Sequence, residues 1–276
     1  MRPRLAARAA RALFAALAVA WSAFPILLVA LSSFKEGHRI FETPPSFVFV
    51  PTLEHYERLW EKWPDFFANM ANSLAVTVGA TLLTVATATL GGYVHARFRS
   101  RLLTGAAFAM IVVRMLPPIV VTLPLFPVVN WLRIHDTHLL LVGIYATFFV
   151  SLSTWIMKAF IERIPRELEE AAFVDGAGLR QILLRVILPL SANGVFAASV
   201  FVLVYSWNEY FFALIFTTRA AKTAPLVISE ILSTVEGVDW GLLFAAATLQ
   251  LLPIVVFVMA AQRYVVAGLA AGSVKG

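Results

Sequence analysis

The chain has 276 residues and a charged fraction of 14% with a mean hydropathy of +0.82, so it has too little polar surface to cover a water-soluble globular domain. The net charge of +6 would suit nucleic acid or acidic lipid, but the basic residues cluster between apolar stretches, a distribution that indicates membrane topology. The absence of cysteine excludes disulfides, thiolate metal sites and a cysteine nucleophile.

Six stretches are apolar enough to cross a bilayer, which takes about 20 residues in a helix. The first follows a basic start, as a secretory signal does, but its apolar run is longer than that of a signal and is interpreted as a retained span. We expect an all-α membrane protein in which residues 1–276 form a single transmembrane domain. The predicted spans cover about 12–34, 66–94, 102–132, 139–157, 186–217 and 241–262.

The lysines and arginines predict the orientation of these spans. Six spans place both termini on the same side of the membrane. Fourteen basic residues lie at the termini and in the loops after spans two and four, and seven lie in the remaining loops. Because basic residues are enriched in cytoplasmic loops, we expect both termini and the loop between spans four and five to be cytoplasmic.

The third span contains one charged side chain, Arg114, about 18 Å along a helix from the start of the span. A charge near the bilayer centre must face protein or water. Pro117 and Pro118 follow it, so the span is expected to be kinked or broken, which is one way to form a cavity wall. Two interpretations of Arg114 stay open, a residue that lines or braces a translocation path and a member of a buried structural charge pair.

The sequence of the loop of residues 163–189 predicts a helical hairpin. Pro165 suits the first turn of a helix, glutamates follow it near the positive end of the helix dipole, and Gly176 and Gly178 supply a turn. Apolar side chains then lie along one stripe of a second helix that runs to Pro189.

A partner protein would be able to approach the backbone of this hairpin closely. Ala171 and Ala172 are small, the turn is rich in glycine, and Glu170 offers a carboxylate to a basic partner. The alternative is a hairpin that lies on the membrane surface and binds nothing. The residues alone leave both interpretations open.

The end of the fifth span combines aromatic rings with hydrogen-bonding groups, in Tyr205, Trp207, Asn208 and Glu209. Sugar hydroxyls and their apolar faces require such groups, although Trp207 also suits an aromatic anchor at the membrane interface. Glu209 is expected roughly 10 to 15 Å nearer the outer face than Arg114, so no pairing between them is assumed.

Enzymatic motifs are absent from the sequence. It has no GxxxxGK[ST] loop for a nucleotide, no HExxH zinc motif and no GxSxG nucleophile elbow. His135 and His138 lie beside Asp136 in an outer loop, where solvated histidines are a simpler interpretation than a metal site. We therefore expect no enzyme and no cofactor or metal bound by this chain.

The segment EAAFVDGAGLRQILLRVILPL resembles the EAA loop of permease subunits in bacterial ABC importers. Glu170, Ala171, Ala172, Gly176 and Pro189 fall at the spacing of that family. Further stretches are similar to the carbohydrate subgroup of these permeases, so the resemblance covers essentially the whole chain. They are ANSLAV at 71–76, RMLPPIVVTLPLF at 114–126, YSWNEYFFAL at 205–214 and VAGLAAGSVKG at 266–276.

The resemblance implies that the hairpin is a coupling helix seated in a cleft of a separate ATPase subunit. The implied docking residues are Glu169, Glu170, Ala171, Ala172, Asp175, Gly176, Ala177 and Arg180. By the same analogy, Lys275 and Gly276 in the closing tail contact the ATPase. The candidates for the translocation path are Asn72, Arg114, Pro117, Tyr205, Trp207, Asn208 and Glu209.

The implied function is that of a permease subunit in an ATP-driven sugar importer of the bacterial inner membrane. This chain would form half of the pathway and a homologous permease the other half. Two ATPase subunits would bind ATP and Mg²⁺, and a periplasmic or lipid-anchored binding protein would deliver the sugar.

Two functions of other classes remain as alternatives. One is a self-contained secondary transporter in which Arg114 and Glu209 take part in ion or proton coupling. The other is a membrane scaffold without transport, for which sugar uptake would survive deletion of the chain.

Overall fold

The structure is a computed structural model that describes the backbone of residues 2–234 and 237–273, with side chains for residues 8, 10–234 and 237–260. The described residues contain helices and no strand, so the expectation of an all-α protein is confirmed. The helices are α1 Arg2–Ser32, α2 Glu54–Lys62, α3 Phe66–Arg97, α4 Arg101–Met115, α5 Pro118–Leu132, α6 His138–Ile161, α7 Glu167–Val174, α8 Leu179–Ile182, α9 Leu188–Leu190, α10 Ala192–Trp207, α11 Phe211–Phe216, α12 Ala224–Leu232 and α13 Trp240–Ser273.

Four of the described helices contain continuous stretches that are long and apolar enough to cross a membrane, namely Ala10–Ser32, Phe66–Arg97, His138–Ile161 and Trp240–Ala260. Two bent helix pairs, Arg101–Met115 with Pro118–Leu132 and Leu179–Leu190 with Ala192–Trp207, pass the same length and composition criteria. The described part of the chain therefore contains four such spans, or up to six if each bent pair crosses the membrane.

The third predicted span is broken, as its prolines led us to expect. Helix α4 ends at Met115 and α5 begins at Pro118, and their axes differ by 97°. Pro118 occupies the first position of α5, where its missing N–H costs no helical hydrogen bond. The residues between the two helices, Leu116 and Pro117, are extended with ψ of 134° and 138°, because a residue before proline is forced out of the helical region.

The fifth predicted span is interrupted at both ends, which the apolar pattern did not indicate. A bend of 77° at Ser191 separates α10 from the preceding helical segment. Helix α10 stops at Trp207 and α11 starts at Phe211. The straight apolar helix is therefore shorter than the predicted 186–217 segment.

The chain divides into two compact units, so the single domain of residues 1–276 stays a prediction. The first unit comprises Met1–Phe67 and Val227–Leu252. Within it, Arg58 forms an ion pair with Asp239. The imidazole of His55 contacts the Lys35 carbonyl at 2.7 Å.

The second unit comprises Ala68–Leu226 and Pro253–Gly276. Its core has two apolar clusters, one around Leu141, Phe149 and Phe212, and the other around Met157 and Ile187. The candidate sites described below all lie in this unit.

Candidate functional site

The loop of residues 163–190 forms a helical hairpin, here called the hairpin. Its first helix, α7, ends in a glycine turn, in which Ala177 N–H donates to the Ala172 carbonyl at 2.9 Å and Gly176 N–H to the Phe173 carbonyl at 3.0 Å. Gly176 has φ of +83°, which an L side chain rarely adopts. These hydrogen bonds and the left-handed glycine are the features of a Schellman motif, which fixes the end of α7.

The second arm of the hairpin is an irregular helix. The Gln181 side chain accepts the Gly178 N–H at 2.9 Å and closes the start of α8. Residues Leu183–Ile187 form a π-helical turn, with Leu188 N–H bonded to the Leu183 carbonyl. The wider turn gives room to the ring of Pro189, which lacks an N–H and would clash with a carbonyl in regular α-helix.

The tip of the hairpin exposes apolar side chains that the sequence analysis did not select. Phe173 is 72% exposed, Val174 85% and Leu179 60%. Five residues of the predicted docking set share this exposed surface, and no atom lies within 4 Å of the place where a Cβ at Gly176 would stand. Those five are Glu170, Ala171, Asp175, Gly176 and Arg180.

The other predicted docking residues face the protein. Ala172 and Ala177 are partly buried against the Met157 and Ile187 cluster. The side chain of Glu169 is only 13% exposed. It accepts from Arg97 Nε at 2.5 Å and from the Tyr93 hydroxyl at 3.0 Å.

A cavity of about 340 Å³ lies between α4, α5, α6 and α11. Its lining is mainly apolar, with Phe148 and Phe212 among the rings. Arg114, Thr147 and Ser151 supply the polar side chains of the wall, and Ser151 Oγ donates to the Met110 carbonyl at 2.8 Å. A largely apolar cavity with a few polar groups is typical of small-molecule sites.

Arg114 lies at the wall of this cavity between two aromatic rings. Its guanidinium carbon is 5.6 Å from the centroid of Phe148 and 5.3 Å from that of Phe201. Its Nη1 atom is shielded from solvent and has no hydrogen-bond partner among the described residues. No carboxylate of the described side chains forms an ion pair with it, which disfavours the interpretation of a buried charge pair.

The structure places Tyr205 near Arg114, but none of the span-five candidates lines the cavity. The Tyr205 ring lies 4.7 Å from that of Phe201, which also contacts Arg114. Trp207 is 1% exposed. The cavity lining contains neither Pro117 nor residues 205–209.

Glu209 caps the start of α11 and also lies beside Tyr145 of α6. Its carboxylate accepts the N–H groups of Phe212 at 3.1 Å and Ala213 at 3.4 Å, at the start of α11, where a negative charge is favoured. Asn208 donates from Nδ2 to the Val204 carbonyl at 2.8 Å.

Asn72 lies away from the cavity and holds the loop that follows α11. Its Nδ2 donates to the carbonyls of Ala220 and Lys222, both at 3.0 Å, and its Oδ1 lies 2.7 Å from His138 Nε2. Asn72 therefore has a positioning role in this structure.

Asp136 binds the same loop through its carboxylate. Its carboxylate accepts four backbone N–H groups, those of residues 218–221, at 2.9 to 3.1 Å, and the Thr218 hydroxyl at 2.9 Å. Burial raises the pKa of this carboxyl, but the N–H donors outweigh that effect and hold the pKa well below its usual range. The described residues contain no group of three side chains suited to a metal ion.

The predicted tail contacts, Lys275 and Gly276, lie outside the described residues.

Comparisons of this chain with a family model and with individual proteins agree with one another. Residues 88–270 match the family described as "Binding-protein-dependent transport system inner membrane component". The trehalose transport system permease protein SugB of Mycobacterium tuberculosis is 35% identical over 269 residues, which cover 95% of this chain and 93% of that protein. The trehalose/maltose transport system permease protein MalG of Thermococcus litoralis is 33% identical over 257 residues, with 92% and 91% covered.

A solved structure shows the same fold. A chain in the crystal structure of a bacterial ABC transporter involved in the import of the acidic polysaccharide alginate aligns with a TM-score of 0.76 and 18% identity. The alignment covers 96% of this chain and 98% of that one.

Proposed function

Because the chain belongs to the family of binding-protein-dependent transport system inner membrane components, we propose that it is the permease subunit of an ATP-driven sugar importer and forms half of the translocation pathway. The family places the chain in the inner membrane. The names of two relatives, permeases for trehalose and for trehalose or maltose, support a sugar as the substrate.

The hairpin is the observation that carries this proposal. Its tip exposes the apolar side chains of Phe173 and Val174 next to Glu170, and such a surface is suited to a protein partner. The sequence has no nucleotide-binding loop of its own. The hairpin therefore docks on a separate ATPase subunit, which binds ATP and Mg²⁺, and this chain carries out no bond chemistry.

The docking residues remain those predicted from the sequence, with two different roles among them. Glu170, Ala171, Asp175, Gly176 and Arg180 meet the ATPase together with the exposed apolar tip. Glu169, Ala172 and Ala177 hold the hairpin on the rest of the chain, because their side chains contact α3 and the apolar cluster. The closing residues Lys275 and Gly276 add a tail contact with the ATPase.

Six spans with both termini in the cytoplasm complete the proposed architecture. The bent pair α4 and α5 counts as one span and α10 with the residues beside it as another, and the basic residues orient the hairpin towards the cytoplasm. A homologous permease forms the other half of the pathway, and a periplasmic or lipid-anchored binding protein delivers the sugar. Two ATPase subunits drive the cycle by moving the hairpin.

Among the pathway candidates, Arg114 is the one whose side chain lines the described cavity. A guanidinium between two rings presents hydrogen-bond donors beside apolar faces, which matches the hydroxyls and faces of a sugar. Tyr205 stays a candidate because its ring contacts that of Phe201, which lies beside Arg114. The remaining pathway candidates do not line the described cavity and would act from outside it. They are Asn72, Pro117, Trp207, Asn208 and Glu209.

Purification of the tagged chain from its native membrane tests the proposal. The ATPase is expected to co-purify with the wild-type chain and to be lost when the tip carries Phe173→Asp with Val174→Asp. These exposed positions tolerate polar side chains, so the variant should keep its thermal stability. A complex that is unchanged by the double substitution would contradict docking through the hairpin.

A further inference from the structure

Helix α3 is fixed at both ends by polar contacts with segments distant in sequence. Near its C-terminus, Arg97 and Tyr93 bind Glu169 of the hairpin. Near its N-terminus, Asn72 binds the loop of residues 218–224. About 38 Å of regular helix separates residues 72 and 97 at 1.5 Å per residue.

The inner contact is a buried ion pair supported by further hydrogen bonds. The side chains of Arg97 and Glu169 are only 8% and 13% exposed. Arg97 also donates to the Ile164 carbonyl at 2.9 Å, and Arg166 donates to the Arg97 carbonyl at 3.0 Å. Separating the pair would leave an uncompensated buried charge, which is costly. The first helix of the hairpin therefore moves together with the end of α3.

Helix α3 approaches α6 closely at two glycines, Gly79 and Gly92. A Cβ at Gly92 would stand 2.7 Å from the Met157 Cβ and 2.8 Å from the Lys158 nitrogen. A Cβ at Gly79 would stand 3.0 Å from Val142. Helix α3 is therefore packed against α6 at these two points, where a side chain larger than hydrogen would not fit without a shift of the neighbouring atoms.

At the outer end of α3, two side chains contact the loop of residues 218–224. Ser73 Oγ accepts the Ala224 N–H at 2.8 Å, in addition to the two carbonyls that Asn72 binds. The carboxylate of Asp136 holds the N–H groups of the same loop. The backbone groups of this loop are therefore bound both by side chains of α3 and by Asp136, which attaches the loop to the outer end of α3.

We propose that α3 is a connecting rod that carries the movement of the hairpin to the loop of residues 218–224, with Arg97, Glu169 and Asn72 as its positioning residues. The inference rests on the proposed function, in which an ATPase moves the hairpin. The hairpin is also attached directly to α6 and α10. Helix α3 adds a second connection, which leads from the hairpin towards the outer face. Closure of the ATPase then changes the outer loop at the same time as the inner ends of the helices.

The ratio of sugar imported to ATP hydrolysed tests this inference in the purified complex with its partner permease, ATPase and binding protein. Arg97→Ala and Glu169→Ala are each expected to lower the ratio roughly two- to thirtyfold, the range for residues that carry coupling. The ATPase should still co-purify and hydrolyse ATP. The control is Arg99→Ala, which removes an exposed charge two residues away and should leave the ratio unchanged.

A charge exchange separates a coupling role from a folding defect. The Arg97→Glu, Glu169→Arg double variant keeps the pair with reversed polarity and should recover much of the ratio lost in the singles. A misfolded fraction lowers uptake and hydrolysis together, so it does not change their ratio. Failure of the exchange to raise the ratio above both single variants would overturn the role of the pair.

The outer end gives an independent test of the rod. Asn72→Ala should also lower the ratio, and the Arg97→Ala, Asn72→Ala double variant should be no worse than the more severe single, because both interrupt one connection. If the double variant lowers the ratio by the product of the two single effects, the proposed role of α3 is wrong. Normal ratios in the single variants, or loss of the ATPase from the Arg97→Ala complex, would also overturn it. If wild-type uptake needs no ATP, the proposed function itself fails, which is a distinguishable result.

Discussion

The guanidinium carbon of Arg114 lies 5.3 Å from the ring centroid of Phe201, at the wall of the cavity. The contact places a cation beside an aromatic surface in a span that contains no second charge. It links a residue of the broken third span to a residue of α10, the helix that continues from the hairpin. Arg114 therefore contacts both the cavity and α10.

Substitution of Arg114 by alanine should reduce sugar uptake at least roughly tenfold, the effect of losing one charge-assisted hydrogen bond of about 1.5 to 3 kcal/mol. The ATPase should remain bound, because Arg114 is not part of the hairpin. Arg114→Lys keeps the charge but not the planar stacking on Phe148 and Phe201, so it should recover only part of the uptake. An unaltered transport rate in the alanine variant would refute the pathway role.

Gly176 is expected to be the more sensitive glycine of the hairpin turn. Gly176 has φ of +83°, so a serine at this position would be held in the left-handed region. That conformation costs about 1 to 2 kcal/mol of folding free energy for a residue with a Cβ. Gly178 has φ of −75°, so Gly178→Ser is an unstrained matched control that also suits a helix N-cap. Gly176→Ser should weaken ATPase co-purification and lower the ratio of uptake to hydrolysis, and equal behaviour of the two variants would argue against a fixed turn.

Charge reversal on α7 should distinguish docking from helix stability. Glu170 and Glu167 are both exposed acids in the first turn, so each reversal to lysine costs similar favourable interaction with the helix dipole. Only Glu170→Lys should weaken the ATPase complex, by at least about tenfold if a basic side chain of the partner faces it. Titration of the ATPase against the two reconstituted variants measures this difference, and equal affinities would contradict the assignment of Glu170.

Asp136 should make the stability of the protein depend on pH. Its folded pKa is depressed, so its contribution is present above the unfolded pKa of about 3.9 and is lost as the pH falls through the folded pKa. Asp136→Asn should therefore lower the melting temperature in detergent at pH 7, and the gap from wild type should narrow as the pH is lowered below about 4. A gap of constant size from neutral to acidic pH would show that the charge is not responsible.

The sequence predicted the features that depend on local composition. Long apolar stretches identified the membrane-length helices, and Pro117 and Pro118 identified the break in the third span. The glycine turn and the two arms of the hairpin also followed from local signals. The EAA resemblance identified the family before the fold was known, and the comparisons confirm that family.

The features that the sequence did not predict depend on contacts between distant residues. Glu169 lay within the docking motif, and only its burial against Arg97, 72 positions earlier, separates it from Glu170. The structural role of Asp136 was not predicted because its partners are backbone N–H groups, which carry no sequence signal. The exposure of Phe173 was missed because apolar residues in a short helix are expected to face the core.

The most direct test of the account uses sealed vesicles that contain this chain. The chain is reconstituted with its partner permease and ATPase subunits, the binding protein is added outside, and uptake of a labelled sugar such as trehalose or maltose is measured with and without ATP inside. We predict uptake only with ATP, and none when the ATPase subunits are left out. Uptake by this chain alone in ATP-depleted vesicles would contradict the account and establish a self-contained transporter.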